Sequence, residues 1–367
     1  MNSNRYRMPD KKFDICVVGG GPAGLEAAIV VGELGGNVVI IDDNPILGGQ
    51  LIKQTHKFFG SKLHYCGVRG IDIATILSDR VTALNIETIN NATIVGYYDN
   101  DTIGVLKEDN FFPLKAERYI FATGASENML AFENADLPGV YGAGAVQTMM
   151  NVYGVVPGKR ALVVGSGNIG LIVPYQLIQA GVEVAAIVEI MNKVGGYYVH
   201  AAKIKRAGVP IYLKHTIIEA QGKENVEAAI ISEVGDDYTC LLGTEKTIEC
   251  DIILIAIGLS PLCDLLYQAG CRIDYIPELG GHIPYHDENM LTSKTNIFVC
   301  GDLACIEEAS TAMLEGRIAG ARAFESLYGK NPEAEEVAKE AQSELGIIRT
   351  SPFEERIVYG KKKLTAT

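Results

Sequence analysis

An apolar run, Phe13 to Val18, breaks into Gly19-Gly20-Gly21-Pro22-Ala23-Gly24 and continues as a helical pattern from Leu25 to Val31. It returns through Gly35-Gly36 to a second apolar run, Val38 to Ile41, which ends on Asp42. Strand, tight turn, helix, strand and acid in this order is the setting in which a Gly-x-Gly-x-x-Gly turn cradles a pyrophosphate. Gly19 permits the sharp turn, Gly21 lets the backbone approach a phosphate, and Gly24 lets helix and strand pack closely. The helix start offers unpaired N–H groups and a positive dipole end. Asp42 stands 18 residues after Gly24, where a carboxylate meets a ribose hydroxyl.

The theme recurs. Ala161 to Val164 leads into Gly165-Ser166-Gly167-Asn168-Ile169-Gly170, a helical stretch, Gly181, the run Val184 to Val188, and Glu189, which lies 19 residues past Gly170. Pro174 falls in the first turns of its helix, where few hydrogen bonds are lost. An acid with no arginine just after it favours NAD over NADP. Two complete fingerprints predict two nucleotide sites.

Between and beyond them the chain is less specific. The loop Asn44 to Leu51 contains Gly48-Gly49, which can bring backbone N–H groups to a ligand or serve as a plain turn. Gln54 to Gly70 is polar and basic, and it reads either as a solvated segment or as one facing a ligand or partner; His56, Lys57 and Arg69 are its candidates. A helix is expected over 71–80 and an antiparallel meander over 81–121, closing in Arg118 to Phe121 and the turn Ala122-Thr123-Gly124. A linker at 134–140 precedes helices around 144–153 and 198–208. The strand from Asp251 to Ile257 then ends at Gly258, echoing the first half. Last come Asn296 to Gly301-Asp302, a helix rich in small residues (Ala309 to Leu327), and a charged tail that is partly helical over 332–345.

With 367 residues there is room for two domains, and 40 glycines suit an α/β fold full of tight turns. A net charge of −13 argues against nucleic acid or an anionic membrane as partner. No run of about 18 apolar residues predicts a membrane span. Met1 to Arg7 lacks the apolar core of a secretory signal, so the cytoplasm is the expected location. The histidines show no metal spacing, and no metal is expected. No Cys-x-x-Cys occurs. Cys300 and Cys305 enclose the Gly-Asp pair and read as packing cysteines rather than a redox disulfide.

The order GGGPAG, acid, GGQ, ATG, GSGNIG, acid, AIG and Gly-Asp resembles the two-dinucleotide-binding-domain flavoproteins, the pyridine-nucleotide–disulfide oxidoreductase superfamily. The resemblance implies an α/β fold of two Rossmann-like three-layer (ββα) domains, the second inserted in the first. An FAD-binding domain would comprise 12–125 and 262–330, a nucleotide-binding domain 126–261, and a tail 331–367. It further implies that Gly19, Gly21, Pro22, Ala23, Gly24, Asp42 and Asp43 bind the ADP half of FAD. Gly49 and Gln50 would lie on its flavin side, Thr123-Gly124 near the pyrophosphate, and Gly301-Asp302 at the ribityl chain. NAD(H) or ATP would occupy Gly165, Gly167, Asn168, Ile169, Gly170, Glu189 and Gly258.

Leu137-Pro138-Gly139-Val140 and Tyr153 to Arg160 are similar to one branch of that superfamily. This branch holds the alpha chain of dye-linked L-proline dehydrogenase, the B chain of hydrogen cyanide synthase and the alpha chain of heterotetrameric sarcosine oxidase. The likeness implies an electron-transfer (alpha) subunit of an amino-acid or amine dehydrogenase complex with NADH:acceptor (diaphorase) capability. Its expected partners are a second flavoprotein subunit, with FMN at an interface, and a small iron–sulfur subunit, since no [2Fe–2S] cysteine segment follows Asp302. The alternatives are a free-standing NADH:acceptor flavin oxidoreductase and a structural nucleotide-binding subunit with an idle flavin.

Overall fold

The computed structural model describes residues 12–351 and 354–366, so Met1 to Arg7 lie outside the described residues. β1 (Phe13–Val18) sends Ile15 and Val17 into one core and Cys16 and Val18 into another. Burial on both faces explains its unbroken apolar run. There follow α1 (Pro22–Glu33), β2 (Val38–Ile41), α2 (Gly70–Ala83), β3 (Glu87–Ile89), β4 (Ala92–Tyr98), β5 (Thr102–Lys107), β6 (Asn110–Phe121) and β7 (Ala125–Glu127). Next come β8 (Val140–Gly142), α3 (Ala143–Asn151), β9 (Arg160–Val164), α4 (Asn168–Gln179), β10 (Glu183–Glu189), α5 (Tyr198–Arg206) and β11 (Ile211–Leu213). Then β12 (His215–Gln221), β13 (Ala228–Glu233), β14 (Lys246–Glu249), β15 (Ile252–Ile255) and β16 (Leu259–Pro261). The remainder is α6 (Asp264–Gln268), β17 (Ile273–Ile276), β18 (Gly281–Pro284), β19 (Ile297–Val299), α7 (Ala309–Tyr328), α8 (Pro332–Ile348) and α9 (Glu355–Ala366).

Two compact units result: one runs to Ser126 and resumes at Ser260, and the other is Glu127–Leu259. In the first, β3, β2, β1, β6 and β19 run parallel, and β4 and β5 extend the sheet antiparallel from the first half of β6. Helices α1, α2, α7 and α8 cover one face, and the β4–β5 meander with α6 covers the other. In the second, β11-β10-β9-β15-β8 form a parallel sheet between helices α3 to α5 and the antiparallel sheet of β12, β13 and β14. Each unit therefore has the three-layer α/β build.

α2 runs to Ala83, past the expected end, because Val81 continues the buried stripe of Ile73 and Leu77. The expected meander accordingly begins later. α8 starts where Pro332 follows Asn331, whose Oδ1 accepts the N–H groups of Glu333 and Ala334 at 2.9 and 3.1 Å. α9 went unread in the sequence: its buried stripe is only Ile357, Gly360 and Leu364 among lysines.

α1 and α7 meet at backbone contact. A Cβ on Gly316 would fall on the carbonyl of Ala23, and one on Gly320 on that of Ala27. Gly316→Ala gains about 1 kcal/mol of helix propensity, but the clash is with rigid main chain, and overpacking of this kind costs about 1–3 kcal/mol. We expect a net fall in the thermal midpoint, read by calorimetry. An unchanged or raised midpoint would show that α7 moves off α1 without cost.

Candidate functional site

Both glycine turns have one geometry. Gly19 and Gly165 take φ of +105° and +104°, open to glycine alone, and a Cβ on either would strike the carbonyl of Ala122 or Ala256 at the end of the neighbouring strand. A Cβ on Gly24 would fall on the Gly19 carbonyl, and one on Gly170 on the Gly165 carbonyl. The middle glycines differ. The nearest atom to a Cβ on Gly21 is Gly49 Cα at 3.9 Å, and nothing lies within 4 Å of one on Gly167. Each turn therefore keeps a gap at a helix start that a side chain would fill, which fits a phosphate group.

The acids are anchored from within. Asp42, buried, accepts Gly20 N–H through Oδ2 (2.5 Å) and Asn44 N–H through Oδ1 (2.8 Å). Glu189, buried likewise, accepts both the N–H (2.8 Å) and the hydroxyl (2.6 Å) of Ser166 through Oε2, and Met191 N–H through Oε1 (2.9 Å). A carboxylate has about four acceptor positions, so each acid keeps capacity for a sugar hydroxyl. Asp43 is exposed and receives Asn44 Nδ2 at 2.7 Å.

The Gly48-Gly49 loop lies on the first turn: Gly48 N–H donates to the Gly20 carbonyl (2.8 Å), and a Cβ on Gly49 would sit 2.7 Å from Gly21 Cα. The second turn carries the same device, which the sequence reading missed. Gly196 N–H donates to the Ser166 carbonyl (2.8 Å), Gly195 N–H to the Ser166 hydroxyl (3.1 Å), and Tyr197 N–H to Asn168 Oδ1 (2.9 Å). The signal was there, since a Gly-Gly pair begins six residues after the acid in both halves.

Three loops converge at the carboxyl ends of β1, β6 and β19, the edge at which parallel sheets bind ligands. They are the Gly19 turn, Ala122-Thr123-Gly124 and Gly301-Asp302, tied by Ala122 N–H to the Val18 carbonyl (2.8 Å) and Cys300 N–H to the Phe121 carbonyl (3.1 Å). Pro22 opens α1 and Ala23 packs on Gly301, while Thr123 Oγ1 donates to the Leu262 carbonyl (3.0 Å). Burial pushes the Asp302 carboxyl up to about 7, helped by the charges of Glu315, Glu308 and Glu307 and opposed by the Glu307 N–H. Gln50 lies exposed in a short 3-10 turn, Gly49–Lys53. In the second unit Asn168 and Ile169 open α4, and Gly258 is exposed with φ of +107°.

The structure brings His56, Lys57 and Arg69 into one pinned loop. Lys57 and Arg69 pair as an antiparallel bridge, and the His56 ring stacks on the buried Phe58 at 5.8 Å. Lys57 and Arg69 are exposed. All eight cysteines are free thiols, and burial raises Cys300 and Cys305 well above the ordinary thiol range. Among the described residues no cluster of His, Cys, Asp or Glu could hold a metal ion, and no helix is long and apolar enough to cross a membrane.

Residues 13–316 match the family described as pyridine nucleotide-disulphide oxidoreductase. The A chain of opine oxidase from Agrobacterium tumefaciens (strain Ach5) is 25% identical over 86% of this chain and 66% of its own length. The alpha chain of sarcosine oxidase from Rhizobium meliloti (strain 1021) is 27% identical over 70% of this chain and 25% of its own. The chain thus spans only part of these curated relatives. In fold it is similar to the crystal structure of L-proline dehydrogenase from P. horikoshii (TM-score 0.66, 22% identity, 91% of this chain and 61% of that one).

Proposed function

The chain belongs to the pyridine nucleotide-disulphide oxidoreductase family, and on that premise we propose that it is the electron-handling alpha subunit of an amino-acid or amine dehydrogenase complex. The cradle built twice carries this reading: two glycine turns, each with an open gap at a helix start and an internally anchored acid. FAD is held at Gly19 to Gly24, Asp42, Thr123-Gly124 and Gly301-Asp302. NAD(H), or ATP in its place, is held at Gly165 to Gly170 and Glu189. The role within a larger complex is supported by its relatives, which are named as single chains of opine oxidase and sarcosine oxidase. The amine-oxidising chemistry then belongs to a second flavoprotein chain, with an interfacial FMN and an iron–sulfur subunit as further components.

Bound FAD would supply the hydride and electron chemistry. The chain's own residues bind and orient. The N–H groups at the start of α1 face the pyrophosphate, Asp42 takes a ribose hydroxyl with its remaining acceptor position, and Asp302 accepts a ribityl hydroxyl. The start of α7, a few residues on, favours negative charge on the ring. With Cys300 and Cys305 held as neutral thiols, electrons leave toward the partner chain rather than through a dithiol.

An anaerobic visible spectrum of the purified chain, before and after NADH, tests this. Flavin bands that bleach with NADH are expected if the second site holds a working nicotinamide. Bleaching by dithionite alone, with ATP released on denaturation, supports the ATP form. Absence of flavin bands, even after incubation with FAD, overturns the assignment.

A further inference from the structure

Glu315 of α7 is the most deeply enclosed acid beside the flavin-side turn, with 1% of its surface exposed. Its Oε2 accepts the N–H of Gly301 at 3.1 Å, the residue directly before Asp302. Its Oε1 meets Arg349 at 2.8 Å and Lys361 Nζ at 3.2 Å. Arg349 follows α8 and Lys361 lies in α9, so both cations come from beyond residue 316, where the family match ends. Arg349 is itself fixed by a two-point fork on Glu307, Nε to Oε1 at 3.1 Å and Nη2 to Oε2 at 2.6 Å. Lys361 also reaches His286 Nε2 at 2.9 Å, and the other ring nitrogen bonds the Pro284 carbonyl at 2.8 Å. This sets His286 as a neutral acceptor for the ammonium; burial, with Lys361 beside it, lowers the imidazole to about 3.

A carboxyl this buried is driven up by desolvation, but Lys361 and Arg349 outweigh that cost and hold it below the usual carboxylate range. A charge-assisted bond from the Gly301 amide to a carboxylate is stronger than one to a neutral acid. Gly301 takes φ of +70°, a conformation that favours glycine, and the Glu315 carboxylate holds its amide in that turn.

We propose that Arg349 and Lys361 are positioning residues for the flavin: through Glu315 they lock the Gly301–Asp302 turn, making the C-terminal helices part of the cofactor site. The inference rests on the reading that FAD occupies that turn.

The test measures FAD affinity of the deflavinated full-length chain and the midpoint potential of its flavin in Lys361→Met, Lys361→Arg and Arg349→Lys. Lys361→Met should weaken FAD about tenfold, the scale of one hydrogen bond to a charged group, and make the potential more negative, since Glu315 beside the Gly301–Asp302 turn loses one of the cations that neutralise it. Lys361→Arg should restore both. Arg349→Lys keeps the charge but loses the fork, and it remains readable should Lys361→Met not fold; a several-fold weakening is expected. Affinity and potential unchanged in both Lys361→Met and Arg349→Lys overturn the inference, as does a loss that Lys361→Arg fails to recover. A native chain that takes up no FAD overturns the flavin reading and this inference together.

Discussion

Gly167→Val should abolish nucleotide binding at the second turn, by at least about a hundredfold, and leave the flavin and the fold intact. The backbone at Gly167 has φ −65° and ψ −178°, an extended conformation that valine favours. No atom lies within 4 Å of the added Cβ, so the first atom of the side chain meets no part of the protein. The branched side chain instead takes the gap that a phosphate needs, in front of the N–H groups of α4. Gly21→Val is the matching change in the first unit: φ is −75°, ψ −178°, and the nearest atom is 3.9 Å away. It should strip FAD and spare the second nucleotide. The contrast is with Gly24 or Gly170, where any Cβ meets a carbonyl of its own turn and the expected result is misfolding. Nucleotides released from each variant by denaturation and separated by chromatography give the answer. Loss of both ligands from either single change would sink the two-site assignment.

Why the glycines were legible and much else was not follows from the range of each interaction. The turn, the helix behind it and the acid at the next strand end all lie within one local unit, and their spacing is imposed by backbone geometry. Gly19, Gly21, Gly24 and Asp42 were therefore readable, as were Gly165, Gly167, Gly170 and Glu189. The anchoring of Asp42 on Gly20 is also local, but it leaves no mark in residue type, because a backbone N–H belongs to every residue except proline. Ser166 is the exception. Its hydroxyl serves both Glu189 and the Gly195 N–H, a role visible only once the loops are folded onto each other. The lock on Gly301 was out of reach for a different reason: Glu315, Arg349 and Lys361 meet across 34 and 46 residues of chain with no periodic pattern linking them. In sequence Glu315 is one charge in a helix of small residues, and Arg349 and Lys361 are two among many in a charged tail. His56, Lys57 and Arg69 were read as polar neighbours, and the bridge between Lys57 and Arg69 is what makes them one loop.

FAD should bind more tightly as pH rises toward about 7, and protein without flavin should lose stability over the same interval. Both follow from Asp302, whose carboxyl burial and the neighbouring acids raise to about 7. Without ligand it is half protonated near neutrality. A ribityl hydroxyl is accepted more strongly by a carboxylate than by a neutral acid, so binding expels a proton and affinity climbs, by at most about tenfold per pH unit, until the free protein is already ionised. For stability the sign is reversed. An unfolded aspartate titrates near 3.9, so between about pH 4 and pH 7 the native state holds the extra proton, and raising pH through that window weakens it. Bound FAD replaces the proton as partner and should flatten that slope. Asp302→Asn removes the titration, so its FAD affinity, lower overall, and its melting temperature should both lose their dependence on pH in this window. Flavin titrations and thermal melts from about pH 5 to about pH 9, in native and Asp302→Asn protein, decide it. A pH profile that survives the substitution unchanged would place the proton on another group and remove Asp302 from the ribityl contact.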